Sequence, residues 1–478
     1  MKYKIIKRGK RRKSLLKSTE ISAHIPEIGE IKAQINAPEI KIPEKKTFKK
    51  LIKLLTDDVH FLLIKFFIRW ALIAVPCGVF VGAVITFFRA AVIEANAFRA
   101  DHRTLMLCLL PLAGLVIVFL YRKAGFDHDT GTNDMIYAAH EGIKTVKKHK
   151  APIVFAATIL THICGGSAGV EGASLQVGGG VLEPVSVFLK FGKNDSATLM
   201  MCAISAAFAS LLGAPIGSAV FAIEVSIIGS IQYAALIPCV FASLSSWGIT
   251  KLLGLGRESF TLLEVPAEFE PRYIAAVIAL GAVCAATAIV FCRSIEGCHI
   301  IWEKFFKNPY IRIAVAGVVI AGLILLLGTD IYSGAGYKAM DEMFLIKMPI
   351  YVFAVKIALT SMTLGAGFKG GEILPTFFIG AAVGSALSGV FGLSVSLGAA
   401  IGFTAVFCGV TNCPLASLIL GAEMFGGTGI MYLGTAIFVS YLLSGYEGLY
   451  SAQVFYQKKM KLRRYGKEKF LRARKKSN

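Results

Sequence analysis

Apolar runs long enough to cross a bilayer recur along most of the chain. The clearest are "ALIAVPCGVFVGAVITFF" (71–88), "TLMLCLLPLAGLVIVFLY" (104–121), "YIAAVIALGAVCAATAIVF" (273–291) and "IRIAVAGVVIAGLILLLG" (311–328). A membrane-crossing helix needs about 20 such residues. The first span is expected to begin between Leu51 and Phe61. Other apolar segments are shorter and interrupted by glycine and proline. Such broken segments persist at membrane depth only where protein or a polar cavity satisfies the freed backbone groups. The pattern predicts an all-α polytopic membrane protein with tilted and re-entrant helices.

Composition agrees: of 478 residues, 55% are hydrophobic and only 17% charged, and the mean hydropathy is +0.66. A net charge of +21 would suggest nucleic acid in a soluble protein, but its distribution argues otherwise. Residues 1–53 carry 16 Lys/Arg and 5 Asp/Glu, and residues 458–478 carry 11 and 1, so 51 basic and 30 acidic residues leave 24 of each in between. The excess charge is confined to two tails, which read as cytoplasmic arms drawn to anionic membrane lipid rather than to nucleic acid. Three segments follow: a basic, disordered arm (1–53) with a loose repeat in "IPEIGEIKAQINAPEIKIPEKK" (25–46), a membrane domain (54–457), and a basic tail (458–478). No apolar h-region of a secretory signal lies within the first 50 residues.

Enzyme signatures are missing. The ten cysteines form no CxxC pair and mostly lie in apolar runs, where they read as small buried hydrophobes. "HEG" (140–142) begins like HExxH, but Lys144 ends the match, and no GxxxxGK[ST] loop occurs. No cofactor or metal is called for.

A lone acid in an apolar stretch therefore stands out. Glu171 lies in "GGSAGVEGASLQVGGG" (165–180), between apolar segments, and Glu372 lies in the comparable "GFKGGEILPTFFIGAAVG". Downstream of each comes a proline-led apolar helix ending in glutamate, "GAPIGSAVFAIEVS" and "TNCPLASLILGAEMF". Pro215 precedes Glu224 by nine positions and Pro414 precedes Glu423 by nine; Glu171 lies 44 residues before Pro215, and Glu372 lies 42 before Pro414. This co-linear match predicts two related halves, about 60–255 and 270–456, without showing whether they are inverted.

A glycine-rich break that opens a helix at membrane depth makes an anion site. The unpaired N–H groups of the first turn and the positive end of the helix dipole favour negative charge, and glycine lets backbone amides reach the ion. Glu171 would then compete for the ion's place, with protonation deciding the winner. The alternative is a carboxylate that only caps its helix. Glu224 and Glu423 are expected to be structural partners of helix ends.

These motifs, with "LYSA" (449–452) before the basic tail, resemble the chloride channel (CLC) family over roughly residues 60–456. The resemblance implies a homodimer with one anion pathway per subunit, two inverted halves, and channel or anion/proton exchange activity in the plasma membrane with both termini cytoplasmic. It implies that Glu171 is the gating glutamate and that Tyr450 donates its hydroxyl to the bound anion, against the alternative of an interfacial belt tyrosine. Amides around Gly172 and Ile373 would complete the site. The family's serine loop falls at "DTGTNDMI" (129–136), where Thr132 or Asn133 replaces the serine as donor.

Two departures bear on mechanism. The inner proton-accepting glutamate of chloride exchangers falls at Val225, so Glu372 becomes the candidate for inner proton transfer. That acid, with the changed loop, resembles the bacterial fluoride/proton antiporter branch; Leu374 departs from it, since a small hydroxyl residue is expected there. Fluoride is favoured over chloride as the transported ion, with a passive voltage- or pH-gated chloride channel as the alternative.

Overall fold

Glycine and proline mark several of the helix boundaries. The computed structural model describes residues 59–126, 129–142, 146–147, 149–256, 260, 262–263, 265, 271–427, 429–456 and 459. The arm 1–53, and the tail 458–478 apart from Lys459, lie outside the described residues. The run 71–88 lies within one helix, Val59–Asp101, and 273–291 within another, Pro271–Phe305. The run 311–328 forms Pro309–Leu327, which Gly328 stops at φ 66° in the left-handed region that suits glycine.

The run 104–121 departs from the single helix expected of it. It divides into Arg103–Cys108 and Leu110–Lys123, with Pro111 in the first turn of the second helix. Proline suits that position because the first-turn N–H has no helical partner there, whereas Pro76 and Pro184 lie inside continuous helices at the cost of one ladder bond each.

Five helices among the described residues are long and apolar enough to cross a membrane. Pro271–Phe305, with 35 residues, is roughly 52 Å long at 1.5 Å per residue, against about 30 Å of hydrocarbon, so it is tilted or extends beyond the bilayer. Seven further apolar helices, including Lys150–Ile163, Ile373–Leu387 and Val395–Thr411, are shorter than a full span. Large apolar side chains such as Leu72, Phe87, Val318 and Leu326 are exposed on the outer helices, as a lipid-facing surface requires.

The halves meet face to face. Helix Pro215–Glu224 packs on Pro414–Phe425, and each carries in its last turn an acid that caps the other. Glu224 accepts from the Leu415 and Ala416 amides at 3.2 and 2.8 Å, while Glu423 accepts from Ile216 and Gly217 at 2.9 and 2.6 Å. Both acids are thus structural partners of helix ends, satisfying first-turn donors that have no intrahelical acceptor. A Cβ on Gly217 would lie 2.8 Å from the Leu420 Cα, so the glycine is what allows this approach. The reciprocal exchange is what an inverted pair of halves produces: residue i of one meets j of the other, and j meets i.

A second close crossing joins Ile373–Leu387 to Val395–Thr411. A Cβ on Gly384 would lie 1.9 Å from the Gly398 carbonyl, and Phe377 and Phe403 stack at 4.0 Å. The second Glu-bearing helix is thereby fixed within a fully packed core.

Candidate functional site

The two glycine-rich breaks are hydrogen-bonded to each other. Gly169 and Gly371 form an isolated antiparallel bridge, N to O at 2.7 and 2.6 Å in the two directions. This places the start of helix Glu171–Phe188 against the start of Ile373–Leu387. Helix starts from both halves therefore converge, each with first-turn N–H groups unclaimed by its own helix.

Glu171 fills that junction. Its side chain is buried, and Oε2 accepts from the Val170 amide at 3.1 Å and from the Leu374 amide of the opposite half at 3.2 Å. The Tyr337 hydroxyl, at the head of helix Tyr337–Glu342, donates to Oε1 at 3.4 Å. One carboxylate thus occupies the positive end of a helix from the other half, where a free anion would be held for the same reason. Gly169 makes room for it: a Cβ there would lie 2.7 Å from Glu171 Oε2.

Glu372 sits on the other side of Gly172. It precedes the first turn of Ile373–Leu387, and the Thr132 hydroxyl donates to its carboxylate. A Cβ on Gly172 would lie 2.8 Å from Thr132 Oγ1 and 3.0 Å from Glu372 Oε2, so only glycine admits this contact. Ile373, fully buried, opens the helix whose next amide, Leu374, reaches Glu171.

A cavity of about 1210 Å³ reaches this centre from one side, lined among others by Asp129, Thr132, Asn133, Lys369, Glu372 and Tyr450. Glu171 is not among its lining residues. The Tyr450 hydroxyl is buried and has no hydrogen-bond partner among the described residues, so its donor remains available. Asn133 is engaged differently. Its Oδ1 accepts from the Ala452 amide at 3.0 Å and its Nδ2 donates to the Thr130 carbonyl at 3.4 Å, which ties the first-half loop to the turn carrying Tyr450.

Charges hold that loop in place. Asp129 pairs with Lys150 at 2.7 Å and with Lys369 at 3.1 Å, and Lys150 also bonds Asp134 and the Gly131 carbonyl. Burial pushes the Asp129 carboxyl up, but Lys369 and Lys150 outweigh it and hold it down to about 2. Lys369 precedes Gly370, so this pairing links the first-half loop to the second-half break.

At Val225 the chain is fully buried, and its carbonyl accepts from Gln453 Nε2 at 2.9 Å, which also donates to the Thr411 carbonyl at 2.7 Å. Ile227–Ile228 then pairs in parallel with Val454–Phe455. No carboxylate stands at the position where chloride exchangers place theirs.

The sequence pointed to Glu171, Glu372, Thr132, Gly172 and Tyr450, and the structure brings all five around one centre. The Leu374 amide falls within the backbone around Ile373 that the sequence named, but the sequence did not point to Tyr337 or the Asp129–Lys369 pair. A lysine inside "GFKGGE" was a signal for the last; nothing local marked Tyr337, 166 residues from its partner.

The voltage gated chloride channel family model matches residues 113–445. A chloride/fluoride channel protein of Pseudomonas syringae pv. tomato is 31% identical over 397 residues, 82% of this chain and 87% of its own. The crystal structure of a CLC-type fluoride/proton antiporter is similar at a TM-score of 0.76 and 29% identity, over 83% of this chain and 99% of the other. A slow cyanobacterial Cl−/H+ antiporter, 19% identical at a TM-score of 0.67 over 79% of this chain and 94% of its own, shares the fold.

Proposed function

The chain belongs to the voltage-gated chloride channel family, and from that premise we propose that it exchanges fluoride for protons, with Glu171 as the gate. The observation that carries this reading is the Glu171 carboxylate held by the Leu374 amide of the opposite half. An ion entering that place must displace the carboxylate, and a proton that neutralises the carboxylate weakens its hold there. Anion and proton thereby compete through one residue.

Glu372 supplies the inner proton step. It lines the cavity and borders Gly172, one residue from Glu171, so it can take a proton from the cavity side. Thr132 orients it through a hydroxyl donor, and Tyr450 offers its hydroxyl to an anion arriving from the cavity. Fluoride is the favoured ion because it is small and strongly hydrated, and a tight junction of helix-start amides and hydroxyls offers concentrated donors. The protein whose structure this chain resembles is a CLC-type fluoride/proton antiporter. Each subunit of a homodimer holds its own pathway, with both basic tails cytoplasmic.

The second reading is a passive channel, which the buried, apolar Val225 favours by leaving no carboxylate at that inner position. Proteoliposomes loaded with fluoride or chloride, read by an ion electrode and a pH dye, decide between them. Fluoride efflux with opposing proton movement is expected; chloride flux above fluoride, or fluoride flux without protons, overturns the reading.

A further inference from the structure

Away from the cavity, a group of buried polar atoms lacks partners among the described residues. They are Arg99 Nε and Nη1, His162 Nδ1 and Ser333 Oγ, on side chains at least nine-tenths buried. His162 Nδ1 lies against Gly334, which follows Ser333 in the chain. A Cβ on that glycine, whose φ is 56°, would lie 3.2 Å from His162 Nδ1 and 2.8 Å from Asn96 Oδ1. Arg99 Nη2 donates to the same Asn96 oxygen at 3.3 Å.

Lys356 stands beside them, fully buried. Its Nζ donates to the Tyr332 and Gly334 carbonyls at 3.1 and 2.8 Å and lies 5.0 Å from the Phe378 ring centroid. The one carboxylate in these contacts is Asp330, half-exposed, 3.7 Å from Arg99 and claimed at 2.8 Å by Arg103. Arg99, Arg103 and Lys356 thus have one acid among them, at the rim.

Buried polar atoms are almost always partnered, so such a set requires an occupant. Guanidinium and ammonium groups only donate, so the occupant must accept. The surplus of positive charge selects an anion over a neutral acceptor, because buried cations need compensation. The group also adjoins the gate: His162 Nε2 faces the Gly169 carbonyl at 3.3 Å, two residues before Glu171, and none of these side chains lines the cavity.

We propose that Arg99, Ser333 and Lys356 form a small-anion site on the far side of Glu171 from the cavity, where a halide ion is held before it meets the gate. This rests on the transport reading above and adds a waiting position to it.

The test uses the full chain. In proteoliposomes, Arg99→Gln is expected to raise the KM for fluoride presented on that face about tenfold and Ser333→Ala about threefold, the losses expected for donors to an ion. Maximal turnover and the proton-to-fluoride ratio stay within about twofold of the unsubstituted protein, since the gate is untouched. Arg99→Lys, which keeps the charge, restores most of the affinity. Isothermal titration of the detergent-solubilised chain with sodium fluoride reads the site without transport, and Arg99→Gln is expected to lose one bound anion per chain. An unchanged KM and unchanged binding in folded Arg99→Gln, or in Ser333→Ala if the arginine variant does not fold, overturns the proposal and leaves water as the occupant. If the unsubstituted protein moves no protons with fluoride, the transport reading falls, while the titration still decides the site.

Discussion

Glycine and glutamate divide the work at the centre. Glu171 and Glu372 are separated by Gly172, where a Cβ would meet Thr132 Oγ1 at 2.8 Å and Glu372 Oε2 at 3.0 Å. Gly172→Ala therefore forces Thr132 and Glu372 apart, and overpacking of this kind costs roughly 1–3 kcal/mol. Fluoride flux is expected to fall at least about tenfold, measured by an ion electrode in proteoliposomes. Glu372→Gln keeps the shape and the Thr132 contact but cannot carry a proton. Proton movement is expected to drop by about tenfold or more with the fold retained; an unchanged pH-dye signal removes Glu372 from the inner route. Both acids were legible in the sequence because a carboxylate in an apolar, glycine-rich stretch has no ordinary explanation. Tyr337 was not, because a tyrosine at a loop end looks the same whether or not it faces a distant glutamate.

At the scale of the element, the two proline-led helices hold each other by exchange of caps. Glu224→Gln replaces an acceptor oxygen with an N–H2 group facing the Leu415 and Ala416 amides, and is expected to cost about 2 kcal/mol. Glu423→Gln acts on the same helix pair from the other side. Because the caps share one interface, the double variant is expected to depart from additivity, measured as thermal midpoints in detergent. The matched spacing from Pro215 to Glu224 and from Pro414 to Glu423 made the pair visible in the sequence. Its inversion was not visible, since each acid's acceptor contacts lie about 190 to 210 residues away.

The first-half loop carries its own pH dependence. Asp129 is held down to about 2, so its pairing with Lys150 and Lys369 contributes stability that is complete above the ordinary carboxyl value of 3.8 and lost as pH falls through about 2. The difference in thermal midpoint between the unsubstituted protein and Asp129→Asn is expected to be constant from neutral pH down to about 4 and to shrink below it. A difference already shrinking near neutrality contradicts that assignment. Asn133 shows why the loop was hard to read from sequence. Its composition allows an ion donor, yet its amide is spent on Ala452 and Thr130, a choice fixed by tertiary contact.

Across the whole molecule, the chain is a multi-pass membrane protein of the chloride channel family, and two helix starts from opposite halves meet at one buried carboxylate. Apolar run length made the spans legible, except where Pro111 divides 104–121. The convergence itself was legible only as a repeat, because the bridge between Gly169 and Gly371 joins segments about 200 residues apart. Simultaneous recording of fluoride and proton fluxes in one population of proteoliposomes, for the unsubstituted chain and for Glu171→Gln, tests the central claim. A fixed proton-to-fluoride ratio that falls to zero in Glu171→Gln while fluoride still moves is the predicted result. Proton movement that persists undiminished in Glu171→Gln contradicts it.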